Sequence, residues 1–196
     1  MSELYSLSAL YRDACVTYAT LAIGYFALSK NSPFSYSGEI WKRILFGLMS
    51  GLVSLYLNQD KWIISDSYFY SFELIPIILS TFYGGWLSGL TALMINFAFS
   101  GWVTHDNILM TIVFIPLLLS KAWKKKNNRF FYITVILISV YRIIAAIFLV
   151  QNTLIFTQAV IYQMIAALCL AICYHALNFK ERHICAYFGS CIQCGE

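Results

Sequence analysis

Two charged residues inside apolar stretches are the side chains of this sequence best placed to do chemistry. Glu73 begins one apolar stretch, and Arg142 lies in the middle of another, at 130–150. A charge at the centre of a bilayer costs about 2.5–3.5 kcal/mol on insertion scales, and such residues usually face a partner or a wet cavity. We predict that Glu73 and Arg142 face each other across an outward-opening cavity, where an anionic or polar ligand competes for Arg142.

Two structural interpretations of the same charges remain open. Glu73 and Arg142 can form a salt bridge that only fixes helix packing, or Arg142 can extend to the outer headgroups. At ~1.5 Å per residue, Arg142 lies roughly 18 Å from residue 130, in the outer half of its stretch. Glu73 lies about one turn below the outer boundary. Their depths are therefore compatible with contact.

Pro76 and Asn96 complete the predicted ligand-binding residues. Pro76 lacks a backbone N–H and clashes with the preceding turn, which is expected to free the carbonyl of Phe72 beside Glu73. Broken backbone at membrane depth is tolerated where it lines a cavity. Asn96 lies in the next apolar stretch, where an amide bonds a ligand or, more often, a neighbouring helix.

The composition places these residues in a lipid environment. Of 196 residues, 60% are hydrophobic and 11% are charged, with a mean hydropathy of +0.71. Soluble domains carry about 25% charged residues, so this chain cannot cover a water-facing surface. We predict an all-α, polytopic transmembrane helical bundle in the plasma membrane, with the lipid bilayer as its partner and without nucleic acid. The length leaves no room for a soluble catalytic domain.

Seven apolar runs set the predicted number of spans. They lie near residues 10–29, 40–57, 71–83, 86–103, 108–123, 130–150 and 156–177. The third and fourth runs are separated only by Gly84-Gly85, and we favour a tight hairpin there over one kinked segment because paired glycines break a helix. Six spans are the alternative.

Basic residues set the predicted orientation. Lysine and arginine are enriched in cytoplasmic loops, and about seven spans with the N-terminus outside and the C-terminus cytoplasmic place every basic cluster inside. A six-span arrangement breaks this alternation. The clusters are Lys30, Lys42 and Arg43, then Lys121, Lys124, Lys125, Lys126 and Arg129, and finally Lys180 and Arg182.

Recognisable catalytic and metal-binding motifs are missing from the sequence. It has no phosphate loop, no zinc-protease pair of histidines and no nucleophile elbow, so we predict no catalytic residues, no metal and no cofactor. Two glycine pairs at four-residue spacing, Gly47/Gly51 and Gly85/Gly89, indicate close helix packing, either internal or between protomers.

The C-terminal tail differs from the rest of the chain. We divide the sequence into a transmembrane domain at 1–180 and a short cysteine-containing tail at 181–196, with the helix expected to stop near Ile184. Cys191 and Cys194 are a single pair, which is a weak zinc signal. A natural end and a product of truncation or frame change both remain open.

One part of the sequence resembles a known pattern. The segment Ile44 to Gly51, the run from Glu73 through Pro76 to Gly85, and Gly89 in the following span resemble the multi-span sensor domains of LytS-type receptors. They resemble more particularly those of sporulation-type (KinB-like) histidine kinases. The motifs cover about a third of the chain, and the span layout covers nearly all of it. Where LytS-type domains have Asp-x-Arg, this sequence has Ser71 and Glu73.

The resemblance implies a signal-input domain for two-component signalling, acting as a homodimer and responding to a small molecule or to the state of the membrane. The kinase itself would follow residue 180. The alternative is the substrate-binding component of an energy-coupling-factor vitamin transporter. Those proteins also have a glycine-rich turn between adjacent spans, but normally six spans.

Overall fold

The structure is a computed structural model that describes residues 2–29, 34, 36–59, 62–65, 68–70, 72–100, 105–119, 121–125, 128–149 and 153–188. Most of the described residues are helical, and two short strands pair in an antiparallel ladder. The helices are α1 (Ser2–Ser29), α2 (Ile40–Gln59), α3 (Leu74–Ser100), α4 (His105–Leu119), α5 (Ala122–Lys125), α6 (Asn128–Leu149) and α7 (Thr153–Phe188). The strands are β1 (Trp62–Ser65) and β2 (Tyr68–Tyr70).

Four helical stretches are long and apolar enough to cross a membrane, which supports a multi-pass membrane protein. They are Ile40–Gln59, Asn128–Phe148, Phe156–Phe179 and, counted end to end across its break at Gly85, Leu74–Ser100. α1 carries Arg12 and Asp13 in its first half, and α4 has 15 residues, fewer than the roughly 20 of a full span. The helical fold class is confirmed at this level.

The strands β1 and β2 were not predicted. They pair in antiparallel register, with Trp62 opposite Tyr70 and Ile63 opposite Phe69. Only helices were predicted for this chain, although aromatic and β-branched residues such as these favour strands. The hairpin connects α2 to α3.

α3 folds back on itself at Gly85. This residue has φ 77° and ψ −174° inside the element, a positive φ that suits glycine. The Oγ of Ser54 bonds both the Glu73 carbonyl oxygen (2.9 Å) and the Asn96 side chain (2.6 Å). A continuous helix would separate residues 73 and 96 by roughly 34 Å. The chain therefore folds back at Gly84-Gly85, as predicted, with arms at 74–84 and 86–100. That each arm is a separate membrane span stays a prediction, since both are shorter than the roughly 20 residues of a full span.

Small residues let α2 approach the second arm of α3 closely. A Cβ added at Gly47 would lie 2.5 Å from the backbone oxygen of Ser88, and one at Gly51 would lie 2.9 Å from the Ile95 side chain. One added at Gly89 would meet Thr81 of the first arm. The glycine spacing thus serves packing inside this chain, which decides between the two interpretations left open above.

α7 is a single helix of 36 residues. It passes through the predicted boundary at 180/181 without a break and runs to Phe188. The prediction that the helix stops near Ile184 is therefore wrong for the residues up to 188. Residues 189–196, with Cys191 and Cys194, lie outside the described residues.

Candidate functional site

A small cavity lies between the first arm of α3, α6 and α7. Its volume is about 30 Å³, which is room for one or two water molecules. Most of its lining is apolar, and three of its side chains are polar. The lining residues are Phe72, Leu74, Ile75, Ile78, Val135, Ile138, Ser139, Arg142, Gln163, Ala166, Ala167 and Leu170.

Arg142 lines this cavity from α6. Its side chain is 8% exposed, so the guanidinium ends inside the bundle. The interpretation in which Arg142 extends to the outer headgroups does not fit this burial. A buried arginine beside a space large enough for water is the arrangement expected of an intramembrane charge that interacts with water, a partner or a ligand.

Gln163 and Ser139 form the rest of the polar wall. Gln163 Nε2 of α7 donates to the Ser139 Oγ of α6 at 2.9 Å, and Gln163 is 5% exposed. This bond joins the two helices beside Arg142. Neither residue was singled out from the sequence, although a glutamine in the apolar run 156–177 was a usable signal.

Glu73 lies at the start of α3, next to the cavity. Its neighbours Phe72 and Leu74 line the cavity, and Glu73 is 1% exposed. Its backbone carbonyl accepts the hydroxyl of Ser54. The structure thus brings the segment of Glu73 to the space lined by Arg142. That their side chains face each other stays a prediction.

Asn96 belongs to a different polar group. Its Nδ2 donates to the Ser54 Oγ of α2 at 2.6 Å, and it is absent from the cavity lining given above. Both side chains are fully buried. The contact agrees with the interpretation of Asn96 as a bond to a neighbouring helix.

Pro76 does not break a helix as expected. It lies in the first turn of α3, where its missing N–H has no helical partner to lose. The carbonyl of Phe72 accepts the Ile75 N–H at 3.0 Å, so the prediction that this carbonyl is freed is wrong. Pro76 is buried but does not line the cavity.

An aromatic cluster joins the C-terminal end of α3's first arm to α6 and α7. The rings of Phe131 and Tyr174 stack at 3.7 Å, and Phe82 lies edge-on to Phe131 at 5.5 Å. The Tyr83 hydroxyl donates to the Tyr174 carbonyl oxygen (2.9 Å) and lies 2.8 Å from Oδ1 of Asn178. α7 therefore contacts α3 through the cavity wall at one level and through this aromatic cluster at another.

Among the described residues, no group of three or more histidine, cysteine or acidic side chains could hold a metal ion. Cys15, Cys169 and Cys173 are free thiols. No protein-family model, no curated protein and no solved structure matches this chain.

Proposed function

We propose that this chain is a membrane-embedded signal-input domain of a sensor histidine kinase in two-component signalling. The cavity at Arg142 would be its stimulus site, and α7 its output helix. The observation that carries the proposal is the path of α7. One unbroken helix lines the cavity with Gln163 and Leu170 and continues past the basic residues Lys180 and Arg182 to Phe188.

The proposed topology has seven spans in the plasma membrane, with the N-terminus outside and the C-terminus cytoplasmic. Each of the seven apolar runs coincides with a helix or with one arm of α3. Ser54 donates to the carbonyl of Glu73, just before the first arm, and accepts from Asn96 of the second arm, which agrees with two short antiparallel segments beside α2. The positive-inside rule then assigns the basic loops to the cytoplasm.

The mechanism rests on two packings of the α6–α7 pair. In the packing described here, the cavity has room for water and not for a larger ligand. A stimulus would favour a second packing, in which the cavity is wider, and its effect would equal its difference in affinity for the two states. The aromatic cluster at Tyr83 and Tyr174 would pass the movement to the end of α7. A homodimer would present two such helices to the kinase.

The test is a chimera in which the full chain through Phe188 is joined to the dimerisation and catalytic domains of a histidine kinase. A series of junctions that differ in length by one residue varies the rotation of the kinase domains relative to α7. In a responsive junction, we expect Arg142→Gln to change autophosphorylation in membranes by about fivefold or more, the lower range of allosteric couplings. Arg129→Gln, an exposed arginine on the same helix, is the matched control.

Two results would count against the proposal. Equal activity of the Arg142→Gln and unmodified chimeras at every junction would remove the cavity from signalling. Activity that does not depend on the helical phase would remove α7 as the output helix. Each result requires that the variants reach the membrane at equal levels.

The alternative function, vitamin capture for an energy-coupling-factor transporter, predicts a small molecule that co-purifies with the chain and a genetic dependence on a transporter ATPase. The tight α2–α3 packing through small residues is a feature that both functions can use. Mass spectrometry of the purified protein separates the two functions.

A further inference from the structure

The three polar residues that line the cavity lie together at one end of it. The Gln163 side chain of α7 bonds the Ser139 hydroxyl of α6 at 2.9 Å, which places these two residues at the same level. Arg142 lines the cavity three residues after Ser139, and residues with this spacing are neighbours on one face of a helix. The cavity therefore has one end that can form hydrogen bonds and that carries the positive charge of Arg142.

The lining becomes apolar on one side of this polar end. The bond between Gln163 and Ser139 and the stacked rings of the aromatic cluster show that α6 and α7 run antiparallel. The lining residue Val135 lies four positions before Ser139, and Leu170 lies seven positions after Gln163. Both are therefore displaced toward the aromatic cluster, by roughly 6 and 10 Å at ~1.5 Å per residue. The same cavity thus changes from cationic to apolar along the two helices.

The cavity is only partly enclosed, and the surface beside it is apolar. Ile136 and Val140 of α6, and Met164 and Leu168 of α7, are exposed, and each is adjacent in sequence to a lining residue. Exposed apolar residues of membrane-spanning helices face the acyl chains of the bilayer. A ligand that enters between these helices therefore comes from the lipid phase.

We propose that the cavity binds the carboxylate end of a single-chain fatty acid that enters from the bilayer. The guanidinium of Arg142 would donate two parallel hydrogen bonds to the carboxylate, the geometry that suits this pair of groups. The alkyl chain would lie against Val135 and Leu170. The cavity volume of about 30 Å³ has room for a headgroup about the size of two water molecules, which a carboxylate is and the headgroup of a phospholipid is not.

A fatty acid at this position would be the stimulus of the proposed sensor, and its role in signalling rests on that proposed function. Its binding does not, because binding depends only on the charge of Arg142 and on the apolar lining. If the chain binds the acid and the kinase chimeras ignore Arg142, the ligand class is right and the sensor function is wrong. If the chimeras depend on Arg142 and the acid does not bind, the sensor has another ligand.

The test is photolabelling of the full chain in phosphatidylcholine vesicles. The probe is stearic acid with a diazirine near the middle of its chain, and the methyl ester of this probe is the uncharged comparison. Mass spectrometry of peptides locates the labels. We expect the acid to label the lining near Val135 and Leu170 at a mole fraction about tenfold or more below that of the ester, the lower range for a hydrogen bond to a charged group. The exposed residues Ile136 and Leu168 should react equally with both probes.

Arg142→Gln should remove the preference of the lining for the acid over the ester. Arg129→Gln is the matched control, because it removes an exposed cation from the same helix and should keep the preference. Equal or absent labelling of the lining by the two probes overturns the proposal, and so does a preference that survives Arg142→Gln. If excess phosphatidylglycerol removes the labelling, a phospholipid occupies the cavity and the proposal is wrong. Loss of labelling only with excess unlabelled stearic acid supports it.

A second pair of variants keeps the charge and decides the question if Arg142→Gln does not fold. Ala167→Phe adds a ring to the lining of the cavity, whereas Leu168→Phe adds one at the neighbouring exposed position. We expect the acid to lose its preferred labelling of the lining in Ala167→Phe and to keep it in Leu168→Phe. Preferred labelling that persists in Ala167→Phe would show that the acid binds elsewhere, which overturns the proposal.

Discussion

The α2–α3 unit, which comprises α2 and both arms of α3, is packed very differently from the α6–α7 pair. In the most apolar stretches of α2 and α3, 44% and 72% of residues are buried, against 29% and 33% in α6 and α7. Backbones approach closely at Gly47 and Gly51, and Ser54 bonds both Glu73, just before α3, and Asn96 in its second arm. The α6–α7 pair contacts α3 through the cavity wall and the aromatic cluster.

This difference indicates which part of the molecule can move. Close backbone contact and buried hydrogen bonds raise the free energy of local opening, whereas sparse burial lowers it. We therefore expect the α2–α3 unit to be the fixed frame and the α6–α7 pair to be the part that changes its packing. The cavity of Arg142 lies where the two regions meet.

The largest expected effect tests the close approach in the fixed frame. In Gly47→Ala, the new methyl group would lie 2.5 Å from the Ser88 backbone oxygen, so the helices must separate. We expect a loss of about 2–3 kcal/mol in the free energy of unfolding, measured by SDS titration in mixed micelles. The control is Gly24→Ala, whose methyl group meets the flexible end of Met49 at 3.1 Å. If Gly47→Ala and Gly24→Ala lost the same unfolding free energy, close backbone contact would not distinguish the α2–α3 unit.

The second prediction probes the cavity wall on α7. Leu170 is 5% exposed and lines the cavity, while Leu168 is 61% exposed on the same helix. We expect Leu170→Ala to cost about 2 kcal/mol in unfolding free energy, at the low end for buried leucines because the site already contains space. Leu168→Ala should stay within about 0.5 kcal/mol. If Leu168→Ala cost more unfolding free energy than Leu170→Ala, Leu170 would not be the leucine of α7 that packs at the cavity.

A third experiment separates hydrogen bonds between helices from those within one helix. Ser54→Ala removes the hydroxyl that joins Glu73 and Asn96, and we expect a loss of about 1 kcal/mol in unfolding free energy. Ser50 is equally buried, but its hydroxyl bonds the Phe46 carbonyl of its own helix. Ser50→Ala should therefore cost less than about 0.5 kcal/mol. If the two variants lose the same amount, Ser54 does not hold the α3 hairpin to α2.

The smallest global effect should come from the aromatic cluster. Tyr83→Phe removes the hydroxyl that bonds the Tyr174 carbonyl and keeps the ring. We expect a loss of about 0.5 kcal/mol in the free energy of unfolding. Hydrogen exchange should become faster only in α7, around Tyr174 and Asn178. Tyr141→Phe, a half-buried tyrosine of α6, is the control. Unchanged exchange in α7 would show that the Tyr83 hydroxyl does not couple α3 to α7.

The sequence alone determined the properties that depend on local composition. Apolar runs predicted the helices of a membrane protein because hydrophobic length is a local quantity, and Gly84-Gly85 predicted the hairpin because a positive φ suits glycine. Arg142 and Glu73 stood out because a charge is rare among apolar neighbours. The sequence missed the strands β1 and β2, because their aromatic residues also suit the headgroup level of a membrane.

Other features were decided by contacts between segments far apart in the chain. Only the tertiary structure showed that Asn96 bonds Ser54 and that Gln163 lies beside Arg142. It also showed that the spaced glycines pack helices within this one chain. It also corrected the role of Pro76, because a proline costs little in the first turn of a helix and the start of α3 is set by its surroundings. The reason is physical: a side chain's type fixes which bonds it can make, and the packing of helices fixes which partner it meets.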